Sequence, residues 1–455
     1  MINSGPYLLG ILIVAVCFIV IATARLRLHA FLALIIAAYG VGLAARMPLQ
    51  EIAKTIAEGF GGLMTSIGLV IVCGTIIGVF LERSGAAVVM AEGVLRVVGE
   101  KRPGLAMSII GYIVSIPVFC DSGFVILAAL NKALARRTGV SLSSLAIALS
   151  TGLYATHVAV PPTPGPLAAS ANLHVTNLGL VIMVGLVCAA PMMLAGYAWS
   201  LLFKKHFDPE QRFDDGEDPT AAWTAMKARY GTLPRTWQAC TPLVLPIALI
   251  ALGSLANFPG APLGTGHIKT ALLFFGTPVT ALLIGVATCL LLVRTIDETV
   301  LNMWVGDAIK DAAIILVVTG AGGSLGKMLA ATHIGDQLGA MLAQYHLGIF
   351  LPFVIAAALK TAQGSSTVAM ITTSAIIYPM LGSLGLEGEL ARVLAVMAIA
   401  SGSMVVSHAN DSYFWVVAQF SHMRVATAYR AQTLGSLVEG IVGMATVALL
   451  ALLLV

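Results

Sequence analysis

The sequence predicts an all-α polytopic membrane protein built as two inverted repeats, and three observations predict it. Apolar side chains make up 58% of the 455 residues and charged ones 10%, under half of the roughly 25% carried by a soluble domain. Twelve stretches reach or approach a bilayer span, which takes about 20 mostly apolar residues. The kinds of stretch then recur in the same order in the two halves of the chain.

In order, the stretches lie near 6–24, 28–45, 61–82, 104–130, 143–171, 176–203, 240–258, 270–293, 312–331, 349–381, 390–420 and 433–455. The first carries Ala22-Thr23-Ala24, which looks like a signal-peptide cleavage site, but no Lys or Arg precedes it and Arg25 and Arg27 follow it. It is therefore expected to be an uncleaved helix with its N-terminus outside. Residues 104–130 contain Pro117 and the polar tip Cys120-Asp121-Ser122-Gly123, and 349–381 contain Lys360-Thr361-Ala362-Gln363-Gly364-Ser365-Ser366-Thr367. Each is too long for one crossing and is expected to be a re-entrant hairpin. Residues 143–171 are interrupted by Pro161, Pro162, Pro164 and Pro166, and 390–420 by Ser407-His408-Ala409-Asn410-Asp411-Ser412. These are expected to be crossing helices unwound in the middle, because backbone freed from helical bonding survives at membrane depth only inside protein or along a cavity.

With those assignments, 19 of the 25 Lys and Arg fall in loops on the inner side and four on the outer, the bias that orients membrane proteins. Each half runs through three spanning helices, a short amphipathic stretch, a hairpin, a broken helix and a final helix. Five crossings per half put the start of the second half on the opposite side, so the repeats, 1–203 and 240–455, are expected to be inverted. Residues 204–239, with Asp208, Glu210, Asp214, Asp215, Glu217 and Asp218, form the expected cytoplasmic linker. Gly74-Thr75-Ile76-Ile77-Gly78 parallels Gly322-Gly323-Ser324-Leu325-Gly326, a small-residue spacing that reads as close helix packing.

The net charge of +4 is small and dispersed, which excludes nucleic-acid binding as a theme. The six cysteines stand singly in apolar stretches, with no CxxC and no metal-ligand spacing, so no disulfide, metal or cofactor is expected.

Inverted repeats with discontinuous elements at the midplane are the architecture of secondary transporters, in which half-helix N-termini and freed backbone hold an anion and its coupling ion. Lys360 is the strongest clue, because a charge at the bilayer centre costs about 2.5–3.5 kcal/mol even on lenient scales. Beside Ser365, Ser366 and Thr367 it suits a carboxylate; the plainer alternative is pairing with a structural acid. Asp121 is a candidate proton carrier or, equally, a helix cap. His157 and His408 stand at corresponding breaks, with Asn410 and Asp411 beside the second. The proline cluster around Thr163 leaves carbonyls free as a cradle. Lys327 has the bland alternative of a neighbouring acid.

Taken together, Pro117-Val118-Phe119-Cys120-Asp121-Ser122-Gly123-Phe124, Thr156-His157 followed by Pro161-Pro162-Thr163-Pro164-Gly165-Pro166, Gly364-Ser365-Ser366-Thr367-Val368-Ala369, and Ser407-His408-Ala409-Asn410-Asp411 with Phe414-Trp415 are specific strings. On them the chain resembles the gluconate permease (GntP) family of the ion transporter superfamily over essentially its whole length. The resemblance implies a proton-coupled importer of gluconate or a related small hydroxy or amino monocarboxylate in a bacterial inner membrane. It also implies a homodimer in which hairpins and broken helices move as a transport domain against a scaffold. The chain departs from the family pattern at Lys360, where Arg is common, and at Cys120-Asp121, where an aromatic and Glu are common. Arg and Lys are not equivalent for bidentate carboxylate binding, so a differently shaped site is expected.

The expectation is therefore a symporter with both termini outside. Its expected substrate-binding residues are Ser122, Thr163, Lys360, Gln363, Gly364, Ser365, Ser366, Thr367 and Asn410. Asp121, His157, His408 and Asp411 are the expected proton-coupling groups. Its expected partners are a small monocarboxylate, the proton and the lipid bilayer. Sodium coupling is the alternative within the class. An intramembrane enzyme using Ser and His is the alternative outside it, disfavoured because those groups are duplicated at symmetric positions.

Overall fold

The computed structural model describes residues 5–99, 101–205, 219–256, 266–332 and 348–454. The acidic run of the linker and the amphipathic stretch expected ahead of the second hairpin lie outside the described residues. Among the described residues all regular structure is helical. Six helices among the described residues are long and apolar enough to cross a bilayer, or seven when a bent pair counts as one. The protein is an all-helical membrane protein.

The first half runs Gly5–Ala24, Ala30–Ala44, Leu49–Arg83, the short Ala86–Val98, then Pro103–Val114 and Cys120–Thr138 as the arms of a hairpin. Leu142–Ala159 and Pro164–Asn172 form a broken helix, and Leu178–Ser200 ends the half. The second half runs Thr236–Ala256, His267–Phe275 with Pro278–Thr288, and Val305–Ala331. Hairpin arms Phe350–Gln363 and Ser366–Ile377, the broken helix Glu389–Met404 and Ser412–Phe420, and Leu434–Leu454 follow.

Local chemistry sets these boundaries. Ser141 and Asn177 cap their helices by accepting from Ser144 N at 3.1 Å and Leu180 N at 3.0 Å. Between Ala159 and Pro164, Pro161 and Pro162 lack the N–H a helix requires, and the chain leaves the helix there. Residues 270–293 differ from the straight crossing expected, since the helix bends by 67° between Phe275 and Pro278. Pro278 has no N–H to continue the ladder, and Thr277 returns its hydroxyl to Phe274 O at 2.8 Å. The third helix starts at Leu49 rather than 61, because the helix continues past the apolar stretch into residues held by pairs such as Lys54 with Glu58, 3.9 Å apart on successive turns.

Helices Leu49–Arg83 and Val305–Ala331 pack along each other, with Gly59 set against Gly323 and Ser324 donating to Ile56 O at 2.8 Å. The expected small-residue spacing is put to use beyond that contact. A β-carbon at Gly78 would lie 2.7 Å from Pro117 O at the first hairpin turn, and one at Gly326 would meet Ala375 of the second hairpin at 3.3 Å. Glycine thus lets both long helices lie directly on the hairpins. On the hairpins' other side, Pro103–Val114 packs on Leu142–Ala159, which packs on Leu178–Ser200. That helix in turn meets Leu434–Leu454, and Leu434–Leu454 meets Glu389–Met404. Lys327 pairs with Glu58 across the long helices at 3.1 Å, the bland alternative read from the sequence.

Candidate functional site

The hairpin ends and helix breaks of both halves meet around one cavity of about 260 Å³. It is lined by Cys120, Asp121, Tyr154, His157, Gln363, Gly364, Ser365, Ser366, Thr367, Asn410, Asp411, Ser412 and Tyr413. Pockets for drug-sized ligands run to roughly 300–1,000 Å³, so this one suits a small molecule.

Three helices begin on its wall: Cys120–Thr138, Ser366–Ile377 and Ser412–Phe420. The leading N–H groups of a helix have no partner inside it, and its dipole places partial positive charge at that end. Three such ends facing one polar cavity make a site for an anion. Two of the starts are capped from within. Ser365 accepts from Val368 N at 3.3 Å, and Asp411 Oδ1 accepts from Tyr413 N at 3.1 Å.

Lys360 lies in the last turn of the first arm of the second hairpin and is fully buried. Its Nζ lies 2.6 Å from Asp411 Oδ2 and donates to Gly364 O. The Tyr154 ring centroid is 5.9 Å away. Asp411 Oδ2 also accepts from Ser407 Oγ at 2.5 Å. Of the two roles read from the sequence, the geometry displays the structural one. The ammonium sits behind the cavity wall, already paired, and reaches the interior through Asp411 and the Gly364 carbonyl. Gly364 itself has φ +91°, and any β-carbon there would run into Asn410 O, which is why glycine fills the hairpin tip.

The second break is latched to that tip. His408 Nε2 and Asn410 Nδ2 both donate to Thr361 O at 2.9 Å. His408 is thereby engaged outside the cavity lining. Thr163 is also outside it, its hydroxyl donating to Val160 O at 2.6 Å. Ser122, one residue past Asp121 and so rotated about a quarter turn on its helix, turns to Glu82 of the long helix instead. The structure therefore gathers Asp121, His157, Gln363, Gly364, Ser365, Ser366, Thr367, Asn410 and Asp411 on one wall, with Lys360 directly behind. It leaves Ser122, Thr163 and His408 off that wall.

Three polar atoms on residues of the wall have no protein partner: Asp121 Oδ1, His157 Nδ1 and Gln363 Nε2. Buried polar atoms are almost always bonded, so an unbonded set around one cavity points to a polar ligand. The His157 ring is held edge-on to Phe119 with centroids 6.0 Å apart.

Tyrosines are the part of the site that the sequence reading missed. Tyr154 OH lies 2.6 Å from Ser366 Oγ, joining the first broken helix to the second hairpin, and its ring packs on Tyr413 with centroids 5.3 Å apart. Tyr413 OH donates to Ser150 O at 2.9 Å. Tyr154 precedes His157 by three residues, on the same helix face, and that spacing was the available signal.

Comparisons with known proteins show the family. Residues 7–453 match the family described as GntP family permease. An uncharacterized permease of Haemophilus influenzae is 36% identical over 420 residues, covering 89% of this chain and 84% of its own. A gluconate permease of Pseudomonas aeruginosa is 32% identical over 460 residues, covering 99% of both. Among solved structures, the YdaH transporter of Alcanivorax borkumensis superposes with a TM-score of 0.62 at 18% identity, covering 89% of each chain, a likeness of fold.

Proposed function

The chain belongs to the GntP family of permeases, and from that premise we propose that it is a secondary active symporter importing gluconate or a related small hydroxy or amino monocarboxylate with protons. The observation that carries the reading is the convergence of three helix N-termini on one small polar cavity. The substrate carboxylate sits against the leading N–H groups and hydroxyls of Ser365, Ser366 and Thr367. Its hydroxyl or amino groups face Gln363, Asn410 and Asp121. Lys360 and Asp411 form a neutral pair that fixes the shape of the wall and orients the Gly364 carbonyl.

Charge arithmetic supplies the coupling. An ionised Asp121 repels an incoming carboxylate across a site of low dielectric, whereas the anion together with a proton adds no net charge. Anion and proton therefore favour each other's binding, by reciprocal linkage. His157, which lines the same cavity, is the second group able to take that proton. His408 holds the break to the hairpin, and Ser122 and Thr163 support the wall from outside it.

The same reading places the protein in a bacterial inner membrane with both termini outside, the two halves inverted about residues 204–239, and two chains to a functional unit. Alternating access is then a movement of the hairpins and broken helices along the glycine faces of the two long helices. The test is uptake of labelled gluconate, glycerate, 3-hydroxybutyrate and D-serine into proteoliposomes under an imposed pH gradient. Accumulation of at least one acid that stops when the gradient is collapsed is the expected result. Uptake that persists unchanged defeats proton coupling, and dependence on sodium over choline at fixed pH replaces it with sodium coupling.

A further inference from the structure

Glu439 stands in the second turn of the final helix, fully buried, and neither carboxylate oxygen has a protein partner. An acid inside a membrane bundle is expensive to keep, and such residues mark proton relays and ion pathways. Its surroundings connect it to the cavity. Ser436, Glu439 and Gly443 share one face of the helix at helical spacing, and Gln432 lies in the π-helical segment Tyr429–Thr433 that leads into it. That face packs on the second break and on the first broken helix: Ser407 N donates to Ser436 Oγ at 2.9 Å, and Ser150 Oγ donates to Gln432 Oε1 at 2.5 Å.

Two sets of hydrogen bonds therefore tie the cavity wall to this helix, stopping short of the Glu439 carboxylate itself. Asp411 accepts from the Ser407 hydroxyl, and the Ser407 backbone N–H donates to Ser436 Oγ, one turn from Glu439. Tyr413 donates to the Ser150 backbone carbonyl, and the Ser150 hydroxyl donates to Gln432, whose Nε2 has no partner. The titratable groups within electrostatic reach of Glu439 are Tyr154 and Tyr413, while Lys360 and Asp411 stand across Ser407 on the cavity side.

We propose that Glu439 is a proton-exchange site of the transport cycle, holding the coupling proton as its carboxyl O–H and releasing it when the cavity empties. This rests on the proton-symport reading and extends it, because it places a station for the proton outside the substrate cavity. Substrate contact and proton storage are then separate, coupled through the packing of the final helix on the second break.

Glu439→Gln preserves size and hydrogen-bonding shape but cannot exchange a proton. In proteoliposomes, with whichever of gluconate, glycerate or 3-hydroxybutyrate the wild type accumulates best, two rates are measured: gradient-driven uptake, and counterflow exchange at equal pH. The expected result is that the variant's inside-to-outside ratio collapses to unity while exchange persists, and that Glu439→Asp retains part of the accumulation. A variant that accumulates like wild type overturns the proposal, and so does one that is monodisperse yet loses exchange as well. A wild type indifferent to the gradient removes the symport reading itself and this proposal with it. A second measurement needs no substrate: infrared difference spectra between acid and alkaline pH are expected to contain a protonated-carboxyl band that Glu439→Gln lacks. Superimposable spectra overturn the assignment.

Discussion

The Lys360 ammonium lies 2.6 Å from the Asp411 carboxylate, fastening the tip of the second hairpin to the break of the second broken helix across 51 residues of sequence. Both groups are almost wholly withdrawn from solvent. Removing one partner of such a pair strands the other charge, whereas removing both leaves no charge to strand.

The first expected outcome follows. Lys360→Met or Asp411→Asn alone should destabilise the protein by about 3–5 kcal/mol, and the double variant should recover most of that loss. Thermal unfolding of the four proteins in detergent reads the cycle. Additive losses would mean that the pair is not a unit.

In the proposed symport, Asp121 bears on ligand binding directly. Asp121→Asn should bind the transported acid with an affinity that no longer changes between acid and alkaline pH, because the residue that repels the anion when ionised has lost its charge. Ligand-induced thermal shift at the two pH values measures it. An unchanged pH dependence would transfer the coupling to His157 or to another group.

Gly364→Ala should abolish transport and lower stability, since the residue combines positive φ with a β-carbon position occupied by Asn410 O. Gly61→Ala, where nothing lies within 4 Å, should leave both near wild type. Uptake and unfolding temperature, measured side by side, test the contrast.

Tyr154→Phe removes one hydroxyl contact to Ser366 and nothing of the ring packing. A loss of about 0.5–1.5 kcal/mol is expected. It should register in the concentration for half-maximal uptake more than in the maximal rate if Ser366 contacts the carboxylate, and a change confined to the maximal rate would argue against that contact.

Much of this architecture was legible from particular residues. Pro161 to Pro166 announced a break because a prolyl nitrogen cannot donate, and Lys360 announced a polar interior because its charge had no place in a span. What the sequence could not disclose were distant partnerships. Asp411 sits on another element and meets Lys360 only through the fold, so one residue read as a substrate ligand and the other as a proton carrier turn out to bond each other. Thr163 failed to reach the cavity for a local reason, a carbonyl three residues back that takes its hydroxyl. Tyr154 and Glu439 escaped notice because a single polar group inside an apolar helix carries little weight until its neighbours are known.

The Thr361 carbonyl, gripped by both His408 and Asn410, carries a last implication. Hairpin and break are joined there, so under the proposed transport function the way into the cavity is its exposed rim, where Ser365, Asn410 and Ser412 lie. A blocker would need only an acid head to fill the chamber and a shoulder too broad for that threshold.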